Sequence, residues 1–218
     1  MGFLLDKCLY DRLSTDIIDM CEPYVCSKDE RINSFFHNQH KRINSFFHNQ
    51  HKDNYADYNN EMMGFSHCFY TDTNAPKLVC AFSLSNSALR TSPLSRTDRN
   101  KFNRVIPNSK RRSQYPAVLI GQLCVFDGFS HLNVGKEMMD FIKLLAIHPD
   151  NNFAARYLVV DAINTPKVIS YYTENGFQFL FPTDKEEQIA LHKIKEGEVY
   201  DSNSPTRLMF FDLIILKP

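Results

Sequence analysis

The sequence lacks a surplus of charge of either sign. It has 25 lysines and arginines against 25 aspartates and glutamates in 218 residues. A balanced chain has no global electric field that would draw it to nucleic acid or to an anionic membrane. Any binding of that kind must therefore come from a local cluster of charges.

The sequence also lacks paired cysteines and a secretory leader. Its six cysteines are scattered, with no CxxC spacing, at positions 8, 21, 26, 68, 80 and 124. This pattern is typical of reduced thiols rather than of a disulfide framework. We therefore expect a cytoplasmic protein whose thiols bind no metal.

No hydrophobic run is long enough to cross a membrane. The longest one near an end, from Leu208 to Leu216, has 9 residues with an acid inside it, whereas a spanning helix needs about 20. We expect a terminal strand there and no membrane partner. No low-complexity segment or linker divides the chain, so we predict a single domain over residues 1–218.

The clearest pattern lies between Tyr115 and Phe177. The apolar run Tyr115–Phe126 predicts a buried strand, and the segment Asn133–Leu145, with apolar residues at helical spacing, predicts a helix. A second strand is predicted over Ala155–Ala162, and a second helix over Asn164–Gly176. This unit of strand, loop, helix, strand and helix indicates a mixed α/β fold.

The flanking parts supply further elements. We predict a helix within Met1–Cys21 and a hairpin within Met63–Asn86, joined by a turn rich in Asn and Pro. A short strand over Phe177–Pro182, a charged helical segment and the strand ending at Leu216 complete the predicted sheet. Helices are expected on both faces.

An 11-residue segment occurs twice without change, at residues 31–41 and again at 42–52. Eleven residues rotate a helix only about 20° past three full turns, so a second copy would keep the same face inward. The duplication therefore fits either three added helical turns or an extruded loop. It also holds four histidines, at positions 37, 40, 48 and 51. A solvated helix face is favoured over a metal site because no cysteine lies nearby.

Residues 90–112 are strongly basic. They carry one acid, Asp98, and eight cations: Arg90, Arg96, Arg99, Lys101, Arg104, Lys110, Arg111 and Arg112. One interpretation is a solvated connection. The other is a phosphate-binding patch for tRNA or for a nucleotide coenzyme.

Several motifs of the central unit resemble one family. The sequence has LxV at the predicted strand end (Leu123–Val125), NVG before the helix (Asn133–Gly135), then VDAIN and YYTENGF. This order resembles the acyl-coenzyme A core of the GNAT superfamily of N-acetyltransferases, closest to the bacterial branch that contains toxins acetylating aminoacyl-tRNA. The resemblance covers about 60 residues well and the remainder from Tyr24 more loosely. It implies a GNAT-type α/β (mixed α+β) fold with a mostly antiparallel central sheet, splayed at its middle strands, and helices on both faces.

The resemblance also implies a site for acetyl-CoA, the co-substrate of the family. The superfamily signature Q/R-x-x-G-x-G/A aligns with Ser130–Gly135, where only the last position matches. A helix start offers backbone N–H groups to a diphosphate. The strand end would pair with the pantetheine arm and present an N–H group to the thioester oxygen. The residues that the resemblance assigns to coenzyme binding are Leu123, Cys124, Val125, Ser130, His131, Asn133, Val134, Gly135, Lys136 and Asn164.

Tyr172 matches the tyrosine that relatives use as the general acid towards the leaving thiolate. A phenol is neutral at pH 7 and can donate a proton. Tyr171 is an adjacent rival about 100° away on the helix. The alternative roles are structural: Tyr172 as a packing aromatic, and Asn164 as a helix N-cap before Pro166.

No carboxylate stands at an evident base position, and Asp127, Asp161 and Glu174 cannot be ranked. An α-amine with a pKa near 7.7 costs about 1 kcal/mol to deprotonate at pH 7, whereas a lysine costs about 4.6 kcal/mol. An α-amine acceptor therefore needs no strong base. We expect an acetyl-CoA-dependent N-acetyltransferase acting through a ternary complex.

The acceptor amine stays open between aminoacyl-tRNA and a small molecule or peptide. Candidate partners are a DNA-binding antitoxin and a second copy of the chain. The alternative function is a non-catalytic coenzyme-binding or interaction module with a degenerate phosphate loop.

Overall fold

The structure is a computed structural model that describes residues 2–22, 59–104, 113–151, 154–191 and 204–217. The duplicated segment at residues 31–52, with its four histidines, lies outside the described residues. So do the three cations at positions 110–112. The predictions made for them stay predictions.

Six helices and seven strands are found in the described part of the chain. In chain order they are α1 Phe3–Lys7, β1 Cys8–Arg12, α2 Thr15–Met20, β2 Phe65–Thr71, β3 Leu78–Arg90, α3 Arg96–Arg104, β4 Gln114–Val125, α4 Val134–Ile147, β5 Tyr157–Ile163, α5 Pro166–Glu174, β6 Gln178–Phe179, α6 Asp184–Ala190 and β7 Thr206–Asp212. A 3-10 helix, Leu213–Leu216, follows β7. The strands form one mixed sheet in the order β1-β2-β3-β4-β5-β7-β6. None of the helices described is long and apolar enough to cross a membrane.

The described residues fall into two compact units, and the first contains Met1–Ser85 and Ile120–Leu144. In it, β1 pairs antiparallel with β2, and β2 pairs antiparallel with β3. Its buried core includes Leu13, Ile17, Cys68, Leu78, Ala81, Cys124 and Phe126. One side of helix α4 is apolar, and its residues Val134, Met138, Met139 and Ile142 are fully buried.

The second unit contains Asn86–Leu119 and Leu145–Pro218. Strand β4 pairs in parallel with β5 over Ala117–Leu119, and β7 pairs antiparallel with both β5 and β6. Its core includes Leu89, Leu94, Tyr115, Ala117, Tyr157, Val159, Leu180 and Phe181. The predicted single domain and the predicted splay of the middle strands stay predictions.

The structure confirms the elements predicted from strong periodicity. The hairpin is β2 and β3, the central buried strand is β4, and the helix after it is α4. The second strand and helix of the predicted unit are β5 and α5. The mixed α/β fold class is also confirmed.

Other predictions are wrong in their extent or type. Cys8–Arg12 is a strand, so the predicted N-terminal helix is two short helices separated by β1. The terminal strand ends at Asp212, and the strand predicted over Phe177–Pro182 is the two-residue β6. The basic connection contains a helix, α3, that was not predicted.

Candidate active site

The turn between β4 and α4 carries most of the residues that the sequence assigned to coenzyme binding. The backbone N–H of Phe126 donates to the carbonyl of Val79 at 3.0 Å, which fixes the end of β4. Two tight turns follow, in which Phe129 donates to Phe126 and Leu132 donates to Phe129. Gly128 has a φ of +89° with open space around it, so backbone conformation and not crowding favours glycine there.

Asn133 has a φ of +59°, in the left-handed region. Its carbonyl accepts the N–H groups of Lys136 at 3.1 Å and Glu137 at 3.3 Å, so α4 begins directly after it. Asn133 occupies the position at which the superfamily signature has a glycine, the residue that adopts this conformation most easily. Asparagine is among the few other residues that adopt it readily. The backbone conformation favoured by glycine is thus present although the glycine is not.

The side chains around this helix start are mostly exposed. Ser130, His131, Asn133 and Lys136 are open to solvent, and Val134 is fully buried beneath them. The exposed set can present one lysine cation and several neutral donors to an anion. Gly135 stands second in the helix, where a missing side chain allows close approach.

Sequence reasoning missed Glu137, in the first turn of α4. Its carboxylate accepts the backbone N–H groups of Phe3 at 3.1 Å and Leu4 at 2.8 Å, at the start of α1. These partners are more than 130 residues away in the sequence. No local pattern could have revealed the contact.

The strand end Leu123–Val125 is buried or half-buried, as predicted from its apolar sequence. Cys124 is 3 % exposed and packs in the core of the first unit, while Leu123 and Val125 are half-buried. The thiol of Cys124 therefore faces the core. Any contribution of Cys124 to coenzyme binding would come from its backbone.

In the second unit, Asn164 is anchored by hydrogen bonds. Its side-chain Nδ2 donates to the carbonyl of Ser204 at 3.0 Å, and its backbone N–H donates to the carbonyl of Pro205 at 2.9 Å. The alternative role of Asn164 as an N-cap is wrong, because α5 begins at Pro166 with Thr165 in the cap position.

Tyr172 lies on α5 and is only 6 % exposed. Its ring packs against those of Tyr171 and Phe177, with centroids 5.2 Å and 5.3 Å away. Burial raises the pKa of the phenol well above its usual value, so the group stays protonated at neutral and mildly alkaline pH. Within the described part of the chain, its hydroxyl makes no hydrogen bond. The hydroxyl oxygen is not one of the buried polar atoms that lack a partner, so it keeps access to solvent and is a candidate for contact with a ligand.

The three unranked carboxylates differ in their contacts. Glu174 accepts a hydrogen bond from the hydroxyl of Ser170 at 2.6 Å and is exposed. Asp127 and Asp161 are also exposed. Burial distinguishes none of them as a base, so their ranking stays open.

Part of the basic stretch has a structural role. Arg99 donates to the carbonyls of Thr91 at 3.2 Å, Ser92 at 2.9 Å and Leu94 at 3.1 Å, and Lys101 pairs with Asp98 at 2.6 Å. Two other cations, Arg90 and Arg96, are exposed. Arg99 therefore braces the local backbone, and Asp98 partly offsets the charge of Lys101.

A cavity of about 560 Å³ lies in the second unit. Its walls include Phe102, Tyr157, Phe179 and Phe210. None of the residues predicted from the sequence as catalytic or coenzyme-binding lines it.

No protein-family model matches the sequence, and no curated protein matches it. Solved structures do match the fold. A tyrosine-to-phenylalanine variant of KacT has a TM-score of 0.63 at 14% identity, with 97% of this chain and 98% of that chain covered. AtaT complexed with acetyl-methionyl-tRNAfMet has a TM-score of 0.58 at 13% identity, with 96% of each chain covered.

AtaTR bound with AcCoA also matches, with a TM-score of 0.56 at 15% identity and with 97% of this chain and 98% of that chain covered. At these identities the likeness concerns the fold. The chain therefore has the GNAT-type fold that its sequence motifs predicted.

Proposed function

We propose that this chain is a cytoplasmic, acetyl-CoA-dependent N-acetyltransferase that transfers the acetyl group directly to an amine. The observation that carries the proposal is the left-handed backbone at Asn133, directly before α4. It occurs at the glycine position of the coenzyme signature, so the loss of that glycine does not argue against coenzyme binding. The AcCoA-bound AtaTR structure, which has the same fold, supports the choice of coenzyme.

In this proposal the coenzyme diphosphate binds at the start of α4. The turn residues Ser130, His131 and Asn133 supply side-chain donors, Val134 and Gly135 supply backbone, and Lys136 supplies a cation. The backbone of Leu123, Cys124 and Val125 binds the pantetheine arm as a neighbouring strand would. The side-chain oxygen of Asn164 accepts from a pantetheine amide, since its nitrogen already donates to Ser204.

Tyr172 is the proposed proton donor. The amine nitrogen attacks the thioester carbon, a C–N bond forms, and the C–S bond breaks. The leaving thiolate takes the phenolic proton of Tyr172, and the tyrosinate is reprotonated by the proton that the acylated nitrogen releases. Burial raises the pKa of Tyr172, so the phenol is protonated when the thiolate leaves, and the same shift makes it a weaker acid than a solvated tyrosine.

The acceptor that we propose is the α-amine of an aminoacyl-tRNA. An α-amine needs little help to lose its proton at pH 7, which suits a site without an evident base. A structure is known of AtaT, a protein of the same fold, in complex with acetyl-methionyl-tRNAfMet. Exposed Arg90 and Arg96 are candidates for phosphate contacts.

We further propose an antitoxin protein as a partner. Structures are known of AtaT bound to the C-terminus of the antitoxin AtaR and of KacTA in complex with DNA. Self-association into a homodimer is the other proposed contact.

Three assays test the function in order. Acetyl-CoA should raise the melting temperature at millimolar concentration, and transfer of labelled acetyl to charged tRNA should then be measured. Retention of charged tRNA on filters should fall steeply as salt rises, because phosphate contacts release counterions. A coenzyme shift without transfer to any amine would indicate a non-catalytic binding module, and no shift at all would overturn the proposal.

A further inference from the structure

Glu137 caps a helix to which it does not belong. The two oxygens of its carboxylate are both used, Oε1 by the N–H of Phe3 and Oε2 by the N–H of Leu4. Helix α1 has only five residues, and Gly2 in its cap position offers no side chain. A helix this short is marginal by itself. The cap supplied by Glu137 therefore helps to decide whether α1 forms and where it docks.

Helix α1 also contacts the turn that precedes α4. The ring of Phe3 packs on that of Phe129 with centroids 5.9 Å apart, and Leu4 beside it is 1 % exposed. A Cβ atom at Gly2 would overlap the Glu137 carboxylate, so a larger residue there would force this side chain to shift from its observed position. The N-terminal segment thus touches the turn at Phe129 and the helix at Glu137.

Glu137 is the only acid in the first turn of α4. An unpaired carboxylate there would oppose an anion at the helix start. Two backbone donors hold it towards α1 and partly offset its charge. Docking of α1 therefore both supports the turn and controls the direction of this carboxylate.

From these contacts we infer that Glu137 is a positioning residue for coenzyme binding. It holds the N-terminal segment against the turn of residues 126–133 and so sets the affinity for acetyl-CoA without touching the reacting atoms. The inference rests on the proposed function for the identity of the ligand. The bracing of the turn can be measured without any ligand.

The sign of the effect separates positioning from simple electrostatics. Glu137→Gln removes a negative charge near the proposed diphosphate site, which by charge alone should tighten binding of the anionic coenzyme. Loss of the charged acceptor should instead weaken it, by about tenfold, the equivalent of one hydrogen bond to a charged group. Calorimetry with acetyl-CoA on the full chain measures the dissociation constant. The kcat at saturating coenzyme should stay within about twofold of wild type, since no reacting atom is touched.

Asp140→Asn is the matched control. It removes the same charge one turn further along the same helix, where the Asp140 carboxylate is exposed and its ion-pair partner is Lys143 at 3.8 Å. No hydrogen bond or ion pair joins Asp140 to α1 among the residues that the structure describes. The affinity of the Asp140→Asn variant for acetyl-CoA should therefore equal or slightly exceed that of wild type.

Hydrogen exchange on the protein without coenzyme gives the second readout. In Glu137→Gln, the amides of residues 3–7 and 126–133 should exchange faster, while those of β5 should not change. Phe3→Ala keeps the carboxylate and removes the ring contact, and it should shift affinity and exchange in the same direction. It replaces Glu137→Gln if that variant does not fold.

The outcomes are distinct. If wild type does not bind acetyl-CoA, the proposed function fails, and the exchange experiment alone decides whether Glu137 braces the turn. If wild type binds, but Glu137→Gln and Phe3→Ala bind equally well or better with unchanged exchange in residues 126–133, the inference is overturned.

Discussion

The hydroxyl of Tyr10 lies 2.8 Å from Nδ1 of His67, and the two rings stack at 8°. Phe82 stacks near the same imidazole at 5.2 Å, and His67 is only 8 % exposed. Burial, with a smaller contribution from the Arg12 cation, lowers the pKa of His67 to about 4. The imidazole is therefore neutral in the folded protein near pH 7.

This depressed pKa predicts a loss of stability in mild acid. The unfolded chain binds a proton at His67 below about pH 6.5, whereas the folded chain does so only near pH 4. The stabilising contribution is complete above pH 6.5 and is lost as the pH falls towards 4, at a cost of about 3 kcal/mol. Urea unfolding of wild type and His67→Gln should show their stability difference narrowing by that amount between pH 7 and pH 4. A constant difference would contradict the prediction.

The buried pair of Glu187 and Arg207 predicts a large effect of a single substitution. Glu187 is 1 % exposed and accepts from Nε of Arg207 at 2.9 Å and from the N–H of Leu208 at 2.8 Å. Glu187→Ala leaves a buried cation without its nearest carboxylate, which should cost about 3 kcal/mol. Denaturant unfolding measures the cost.

Two comparisons test this cause. Glu186→Ala, at an exposed neighbour on α6, should change stability by no more than about 0.5 kcal/mol. The double variant with Arg207→Met and Glu187→Ala should lose less free energy of unfolding than the two single variants lose together. The reason is that it leaves no unpaired cation. Strict additivity would mean that the pair is not coupled.

Local periodicity was sufficient to predict those elements whose buried residues recur at a regular spacing along the sequence. Helix α4 was predicted over Asn133–Leu145 and is found at Val134–Ile147 because its apolar positions repeat at helical spacing. Strand β1 could not be found this way. Four of its five residues are exposed, so no alternation appears, and its identity comes from pairing with β2 about 60 residues away.

A local signal for α3 was present but overlooked. The hydroxyl of Ser95 accepts the N–H of Asp98 at 3.2 Å and donates to its carboxylate at 2.7 Å, a capping arrangement written in the sequence as Ser-x-x-Asp. At the candidate site the residue types were readable but their geometry was not. The positive φ of Asn133 and the long-range partners of Glu137 depend on how distant segments pack.

The conformation of Asn133 predicts opposite effects of two substitutions. Asn133→Gly should be tolerated and should bind acetyl-CoA at least as tightly as wild type, because glycine adopts a φ of +59° without strain. Asn133→Val should lose about 1 to 2 kcal/mol of stability, the cost of a left-handed backbone for a residue with a branched Cβ. Thermal unfolding and calorimetry measure the two effects. Equal affinities for acetyl-CoA in the two variants would argue against a role of this turn in coenzyme binding.

The hydroxyl of Tyr172 predicts a variant that loses activity but not stability. Tyr172→Phe should lower kcat by about 100-fold or more, the usual contribution of a general acid. It should leave acetyl-CoA affinity and melting temperature nearly unchanged, because the hydroxyl makes no hydrogen bond to any residue that the structure describes and is not a buried unpartnered atom. Tyr171→Phe is the matched control, since Tyr171 lies about 100° away around the axis of the same helix, and it should keep kcat within about twofold. Similar losses of kcat in both variants, or unfolding of Tyr172→Phe, would assign Tyr172 to packing and leave the leaving thiolate without its proposed acid.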